Sequence, residues 1–495
     1  MKSLKIFWAL AVFAFVVLGA AAVWLGGLNQ DEGWYLYAAN LVAEGKVLYK
    51  DFFYTQGPFM PRFYESARCV WDAWGLLGAR ILTLAIGFVG ICFAAGLARS
   101  LAPEGRKVEA ALITFLLLGC NLYHLYYVAI PKTYALASML VMMGFFLLAV
   151  GKHACFQVAA GLCLAYAAGT RISLGALLCV VGLWLLLSKR WKDLLWFCIG
   201  GFCGLAGVYL PYLCDPGARA GLLAAQQYHA ARGGFDLVWA VGSVSRLVRW
   251  YLPVFIVLGL GVAGYSRTAG TPRTPGTGVL LWSFLAVFVV QMLAPFPYED
   301  YQVPIMGLLA VYAAVSFVSR NRTVEQSERS NNLGVLLVLG LCFASSFGSP
   351  LLEKWMTNGQ DRFWSQKKES CEMAQLRDVA KRIEAQDPGG KTLLTQDLYL
   401  AIETNRRVPR GLEMGPFAMM SDEDWRKLLT ETAPTNCAVA ALSGYAFAIE
   451  PPVCNERSIE KQMEYWTLLK QNYRLVDREE TFGQNATTLL VLKRK

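Results

Sequence analysis

Two adjacent acids come directly after the first apolar stretch of the chain. The stretch ends near residue 28, and Asp31 and Glu32 follow it. A carboxylate at such a position can accept a proton from a hydroxyl group, which is the chemistry of a general base. The alternative is a solvated pair of acids that marks the boundary of the apolar segment, because carboxylates are costly where they face lipid.

Two cations at the ends of later apolar stretches complement these acids in charge. Lys132 comes just before the stretch 133–150, and Arg171 comes just after the stretch 154–170. Arginine holds a phosphate through a bidentate fork, and lysine holds it as a point charge. Both residues are therefore candidates for stabilising an anionic leaving group, unless each side chain only snorkels from a helix end into the headgroup region.

The elements that must position these side chains are membrane helices. Of the 495 residues, 56% are hydrophobic and 17% are charged, whereas soluble domains carry roughly 25% charged residues. Apolar blocks of about 20 residues match the hydrocarbon core of a bilayer. We predict an α-helical polytopic membrane protein with about eleven transmembrane helices, at 6–28, 79–98, 108–128, 133–150, 154–170, 172–188, 194–213, 250–265, 278–295, 302–319 and 333–350.

Basic residues predict how these helices are oriented. Lys and Arg concentrate in six loops on one side of the predicted bundle, beginning with Lys2 and Lys5 and ending with Arg320, Arg322 and Arg329. The positive-inside rule makes that side cytoplasmic. An odd number of spans then places the N-terminus in the cytoplasm and the C-terminal domain in the periplasm, so we expect a multi-pass protein of a bacterial inner membrane.

The composition excludes several other classes of protein. Much of the net charge of +10 resides in the short loops that set orientation, so we expect membrane lipids and no nucleic acid as partners. The 13 cysteines lie mostly in apolar blocks and the three histidines are far apart, so we expect no metal site built from them. The sequence leaves open whether a divalent metal takes part in the chemistry.

The end of the chain, 351–495, has the composition of a soluble domain that follows a transmembrane domain at 1–350. Helical spacing alternates there with strand-like runs. The predicted helices are Glu369–Gln386 and Ser458–Gln471, and the predicted strands are Lys391–Leu394, Cys437–Leu442 and Thr488–Lys493. We predict a small periplasmic α/β domain. Oxidising conditions permit a disulfide there, and Cys437–Cys454 is the pair we choose.

The predicted external loop 29–78 is rich in aromatic residues and has helical spacing from Gly33 to Glu44. Aromatic side chains settle at the membrane interface, where an amphipathic helix can lie. The loop is therefore either a simple membrane anchor or an aromatic-lined site for a lipid or a sugar.

The same loop carries a family resemblance. Its stretches Asp31-Glu32-Gly-Trp-Tyr-Leu-Tyr-Ala-Ala-Asn and Gly45-Lys-Val-Leu-Tyr-Lys-Asp51-Phe-Phe-Tyr-Thr-Gln-Gly-Pro58 resemble the first loop of the glycosyltransferase-C superfamily. They are most similar to bacterial members of the dolichyl-phosphate-mannose–protein mannosyltransferase family and to aminoarabinose transferases of lipid A. Segments at 161–171 and 297–304 resemble a later span and a late loop of the superfamily.

The resemblance implies an enzyme that transfers a hexose or a pentose from a polyprenyl-phosphate carrier to a glycan, lipid or protein acceptor, with inversion at the anomeric carbon. In this reaction Asp31 is the catalytic base with Glu32 beside it, and Arg171 and Lys132 hold the donor phosphate. The candidates for binding substrate are Asp51, Tyr54, Gln56, Glu299 and Tyr301.

The sequence departs from the superfamily in one place. Many relatives carry an acid between the third and fourth spans, where this chain has Pro131-Lys132-Thr133, and this puts a second catalytic acid or a metal site in doubt. No Gly-rich phosphate loop occurs, so a nucleotide sugar is not the expected donor. A flippase, polymerase or ligase of lipid-linked glycans is the nearest alternative, followed by a non-catalytic membrane scaffold.

Overall fold

A helical bundle is followed along the chain by a small domain with a four-stranded sheet. The computed structural model describes residues 2–231, 233–265, 276–319, 334–342, 344, 371–415, 420–444 and 459–495.

The bundle contains the helices α1 to α16, and short 3₁₀ turns at Ile172–Gly175 and Glu299–Gln302 precede α9 and α15. The helices are α1 (Lys2–Leu25), α2 (Gln30–Ala43), α3 (Phe59–Glu65), α4 (Arg68–Leu101), α5 (Lys107–Gly119), α6 (Leu122–Ala129), α7 (Thr133–Val150), α8 (Ala154–Thr170), α9 (Ala176–Leu187), α10 (Trp191–Cys214), α11 (Pro216–Ala230), α12 (Leu237–Trp250), α13 (Leu252–Tyr265), α14 (Thr277–Met292), α15 (Val303–Val318) and α16 (334–342).

Five segments of the described chain are helical, long and apolar enough to cross a membrane, namely α1, α4, α7, α10 and α15 with its preceding turn. Two bent pairs, α5–α6 and α12–α13, raise the number to seven, and three further apolar helices have 10–17 residues. The predicted multi-pass helical membrane fold is therefore confirmed. Every predicted span except 333–350 overlaps one of these helices, and that span lies only partly within the described residues. The total of eleven stays a prediction.

Two helix breaks were not predicted, and they meet inside the bundle. The predicted span 108–128 is broken at an angle of 70° between α5 and α6, and α12 meets α13 at 81°. Asn121 caps α6 by accepting from the His124 backbone N–H, and its side-chain amide donates to the Trp250 carbonyl at 3.0 Å. Asn121 thereby pairs backbone groups that the breaks would leave unsatisfied. The predicted loop 214–249 contains the two helices α11 and α12.

The C-terminal domain has one sheet in the strand order β1-β2-β4-β3, with β1 parallel to β2 and the other pairs antiparallel. Its elements are α17 (Glu372–Gln386), β1 (Leu393–Leu394), α18 (Leu398–Glu403), α19 (Asp422–Lys427), α20 (Ala433–Asn436), β2 (Val439–Ser443), α21 (Ile459–Asn472), β3 (Tyr473–Phe482) and β4 (Thr487–Arg494). β3 was not predicted because it is an edge strand whose charged residues face solvent. Cys437 is buried, and Cys454 lies outside the described residues.

Helix α2, which occupies the predicted helical segment of the first loop, is buried by protein. It packs against α3 and against α18 of the C-terminal domain, and Trp34, Tyr35 and Tyr37 are each at most 5% exposed. The proposal of a helix lying in the lipid interface is therefore wrong for α2. The aromatic side chains fill the junction between the bundle and the C-terminal domain. We call this end of the bundle the domain end.

The orientation of the domain end is a testable prediction. We expect it to face the periplasm, because the basic short loops lie at the opposite end of the predicted bundle. An alkaline phosphatase fused after Lys495 should therefore be active, and a fluorescent protein that matures only in the cytoplasm should stay dark at the same position. Fusions within the loop 102–106 serve as the opposite control. Cytoplasmic reporter activity after Lys495 would reverse the topology.

Candidate active site

The first turn of α2 presents Asp31, and a buried ion pair fixes that turn in place. Asn29 caps the helix in a capping box with Glu32. Both oxygens of the Glu32 carboxylate accept from Arg80, at 2.6 and 2.7 Å, and both side chains are fully buried. Arg80 also donates to three carbonyls at the end of α1, those of Val23, Gly26 and Gly27. Glu32 is thus committed to Arg80 and cannot reach a substrate.

The Lys132 ammonium lies between two carboxylates from distant parts of the chain. Its Nζ atom is 3.0 Å from Asp31 Oδ2 and 3.4 Å from Asp300 Oδ2. Asp300 Oδ2 also accepts from the Tyr134 hydroxyl at 2.8 Å. The Asp31 side chain is 28% exposed, while the Lys132 and Asp300 side chains are 6% and 4% exposed. Asp31 is therefore the carboxylate of this cluster that a second molecule can reach.

Arg171 is a buried cation held mainly by aromatic rings. Its guanidinium carbon lies 4.9 Å from the ring centre of Tyr134 and 4.8 Å from that of Tyr301. One of its terminal nitrogens donates to Thr133 Oγ1 at 3.1 Å, and its Nε has no partner among the described residues. A buried guanidinium with open donors and no carboxylate ion pair in the described chain is suited to receive an anion.

Aromatic side chains form a wall beside these charges. The rings of Trp34 and Tyr54 are 5.3 Å apart, and Tyr35 lies within 6.3 Å of Tyr54. Trp34 Nε1 and the Tyr54 hydroxyl are buried without a hydrogen-bond partner among the described residues. Burial raises the pKa of Tyr35, and the charge of Asp31 raises it further, so the Tyr35 hydroxyl stays protonated. The wall offers neutral donors and ring faces next to Asp31.

No protein-family model and no curated protein matches this sequence. Solved structures do match it. The structure of ArnT from Cupriavidus metallidurans bound to undecaprenyl phosphate superimposes with a TM-score of 0.61 and 14% identity. The match covers 98% of this chain and 97% of the ArnT chain. The apo state of the same protein gives a TM-score of 0.58 and 15% identity over the same shares. An Archaeoglobus fulgidus oligosaccharyltransferase in complex with Zn and sulfate matches 94% of this chain over 72% of its own, with a TM-score of 0.53 and 12% identity.

These matches extend over the helical bundle and the C-terminal domain together. The chain therefore shares its fold with ArnT and with the archaeal oligosaccharyltransferase. The resemblance seen in the first loop is thereby confirmed as a likeness of fold, and at these identities it is the geometry of this chain's own residues that must support any chemistry.

Within this fold, four of the predicted site residues come together and others do not. Asp31, Lys132, Arg171 and Tyr301 lie in one cluster. Tyr54 belongs to the adjoining aromatic wall. The remaining predicted residues have other surroundings: Asp51 is exposed and accepts from the Val47 backbone, Gln56 lines a small cavity with Ile172, and Glu299 pairs with Arg246 at 3.0 Å.

Three important residues were missed by the sequence reasoning, namely Arg80, Asp300 and Tyr134. Arg80 lies inside a predicted span, where a charged residue is expensive and signals a buried partner. Asp300 lies in the late loop that resembles the superfamily, directly after Glu299, which the sequence pattern singled out instead. Tyr134 gave no signal in the sequence, because its role depends on the rings and charges that pack around it.

The described part of the chain holds no group of three or more His, Cys, Asp or Glu residues that could bind a metal. Two carboxylates of the cluster, Asp31 and Asp300, face each other, and the Lys132 ammonium lies between them. Lys132 therefore places a cation in the segment Pro131-Lys132-Thr133, where many members of the superfamily that the sequence resembles carry an acid.

Proposed function

We propose that this protein is a membrane glycosyltransferase that moves one sugar from a polyprenyl-phosphate carrier to an acceptor in the periplasm, with inversion at the anomeric carbon. The observation that carries the proposal is one cluster with a reachable carboxylate, Asp31, and a buried guanidinium with an open donor, Arg171. A base for the acceptor and a cation for the leaving phosphate are the groups that this reaction needs. The shared fold with ArnT, solved with undecaprenyl phosphate, supports the same reading.

In the proposed reaction the acceptor hydroxyl gives its proton to Asp31 as its oxygen attacks the anomeric carbon. The bond from that carbon to the carrier phosphate breaks, and the electron pair leaves with the phosphate. Arg171 stabilises the charge that develops on the phosphate. Because the acceptor attacks opposite the departing phosphate, one displacement inverts the configuration, and no general acid is needed for so good a leaving group.

The sequence predicts that Lys132 holds the donor phosphate, but this proposal gives it a different role. Its ammonium contacts Asp31 and Asp300 at 3.0 and 3.4 Å. We therefore assign it to holding the Asp31 carboxylate directed into the site, rather than to the leaving phosphate. The ion pair also connects α2 to the Glu299–Gln302 turn, whose Tyr301 covers Arg171. Asp31, the proposed base, and Arg171, the proposed cation for the leaving phosphate, are in this way linked through Lys132, Asp300 and Tyr301.

A groove beside the first loop is suited to the apolar chain of the carrier. Its volume is about 360 Å³, and its walls come from α3 and from the spans α8 and α10. The lining residues are Pro58, Phe59, Arg62, Phe63, Ser66, Tyr166, Gly207 and Val208. Gly57, the chain neighbour of the lining residue Pro58, packs on the Gly169 carbonyl two residues before Arg171. An isoprenoid chain in the groove would bring its phosphate toward Arg171.

The test is donor-dependent sugar transfer by the purified protein in lipid nanodiscs. Radiolabelled polyprenyl-phosphate pentoses and hexoses are offered with membrane lipids, glycans and periplasmic proteins as acceptors, and UDP-sugars serve as the control donors. We expect one class of lipid-linked donor to yield a labelled acceptor and free polyprenyl phosphate, and the UDP-sugars to yield nothing. Transbilayer movement of the lipid-linked sugar without transfer would instead support a flippase. Transfer from UDP-sugars alone would overturn the proposal.

A further inference from the structure

The C-terminal domain is hydrogen-bonded directly to the segment that carries Asp31. The Leu28 backbone N–H donates to Glu372 Oε2 at 2.7 Å. The Gln30 backbone N–H donates to Gln484 Oε1 at 2.8 Å. All of these contacts join positions more than 340 residues apart in the chain. The short stretch just before Asp31 is therefore hydrogen-bonded both to the C-terminal domain and to Arg80 of the bundle.

A further buried contact is made by the side chain of Gln30, the residue that precedes Asp31. Gln30 Nε2 donates to Asp397 Oδ1 at 2.6 Å, and the Tyr399 hydroxyl donates to the same oxygen at 3.0 Å. Gln30 is 4% exposed and Asp397 is fully buried. Burial raises the pKa of Asp397, whereas the hydrogen bonds from Gln30 and Tyr399 lower it in part. An amide–carboxylate hydrogen bond of this kind is strong and directional.

The backbones of the two domains touch at the same first turn of α2. A Cβ atom added to Gly33 would lie 2.1 Å from the Tyr399 backbone nitrogen. Gly33 therefore lets the start of α18 rest on the first turn of α2. Gln30 and Gly33 lie on the same side of that turn because residues three apart on a helix are neighbours.

We propose that Gln30 and Asp397 are a positioning pair through which the C-terminal domain fixes the direction of Asp31. This inference rests on the proposed function, since it gives the C-terminal domain a part in the same reaction. Gln30 and Asp31 share a peptide group, so a shift of the Gln30 side chain turns the Asp31 carboxylate. A displacement of about 1 Å at a reacting group costs up to about 10²-fold in rate.

Simple docking of the domain does not need this pair. Other contacts already join the domain to the bundle: the Val408 N–H donates to the Tyr37 hydroxyl at 2.9 Å, and the Leu76 N–H donates to Glu403 at 2.8 Å. Burying the Asp397 carboxylate carries a desolvation cost that an apolar contact would avoid. A buried, directional contact one residue from the proposed base is suited to setting geometry.

The test exchanges the amide and the carboxylate. Gln30→Glu places two acids face to face and should lower kcat by about 10-fold or more, with the Kd for polyprenyl phosphate changed less than 2-fold. Asp397→Asn alone should lower kcat less. The double variant Gln30→Glu/Asp397→Asn restores an amide–carboxylate pair with the donor reversed, and it should recover most of the lost kcat. Gln30→Met, which removes only the amide, serves if Gln30→Glu does not accumulate.

Tyr37→Phe is the matched control. It deletes another hydrogen bond between the domain and α2, six residues beyond Asp31, and should leave kcat unchanged. Hydrogen exchange at residues 28–33 gives a second readout, expected to rise in Gln30→Met and not in Tyr37→Phe. If the wild type is active and every Gln30 variant has the same kcat as the wild type, the positioning role is overturned and the proposed function stands. Inactive wild type with all donors would remove the proposed function, and unchanged exchange in Gln30→Met would remove the link itself.

Discussion

The Asp31→Asn variant should lose about 10²- to 10⁴-fold in sugar transfer, the range that general-base assistance supplies. The substitution keeps the size of the side chain and a hydrogen-bonding oxygen, but the amide cannot take the acceptor's proton. Binding of polyprenyl phosphate should persist, because Arg171 donates to Thr133 and the groove lining does not include Asp31. The measurement is transfer from a labelled polyprenyl-phosphate sugar under single-turnover conditions, with donor binding assayed separately.

Asp215→Asn is the matched control for this prediction. Asp215 is also an acid paired with a lysine at the domain end, with its Oδ2 at 2.7 Å from Lys50 Nζ, but both side chains are substantially exposed. Its loss should leave transfer unchanged, since exposed ion pairs contribute little. Near-normal turnover in Asp31→Asn would exclude Asp31 as the base.

Glu32→Gln separates the two adjacent acids by a different readout. Removing the Glu32 charge leaves Arg80 buried without its counter-ion, which typically costs about 3–5 kcal/mol. We expect less folded protein and a lower midpoint of thermal unfolding, with turnover per folded molecule nearer to that of wild type than in Asp31→Asn. A stable Glu32→Gln variant without turnover, beside an active Asp31→Asn variant, would reverse the two roles.

Asp31 and Glu32 show what the sequence could and could not predict about the site. The position of Asp31 at the end of the first span followed from hydropathy and charge alone, because a short polar break after about 20 apolar residues has one interpretation. The partner of Glu32 did not follow, since it depends on which face of α4 packs against α1. Chain neighbours on a helix point apart, so one acid faces the site and the other faces Arg80.

The contacts of Lys132 with Asp31 and Asp300 could not be predicted from the sequence for a related reason. Lys132 and Asp300 are separated by 168 positions, and nothing local to either indicates that their loops meet. Apolar blocks predicted α7 and α15, the helices that follow these two residues, within a few residues. The breaks at Asn121 and Trp250 required the tertiary pairing of backbone groups. The same limit applies to the C-terminal domain: its three buried strand regions were predicted from apolar runs, while its contacts to Gln30 and Gly33 were not.

Arg171→Ala should lower transfer by about 10²-fold or more, the scale of losing one charge contact to a transition state. The guanidinium is held between the Tyr134 and Tyr301 rings with one hydrogen bond to Thr133, so its remaining donors are available to the phosphate. Arg171→Lys should recover only part of the loss, because an ammonium keeps the charge but cannot form the bidentate fork. The measurement is turnover together with the Kd for polyprenyl phosphate.

A second stacked arginine provides the control for Arg171. Arg190 lies 5.1 Å from the Trp184 ring centre beyond the other end of α9, and it forms an ion pair with Asp193 at 2.8 Å. Arg190→Ala removes a comparable cation–π contact far from the cluster and should leave both turnover and donor binding unchanged. Since Arg171 has no such carboxylate ion pair in the described chain, its substitution should weaken phosphate binding as well as turnover. Full activity and unchanged donor affinity in Arg171→Ala would reduce Arg171 to a residue at a span boundary, and the site for the leaving phosphate would then lie elsewhere.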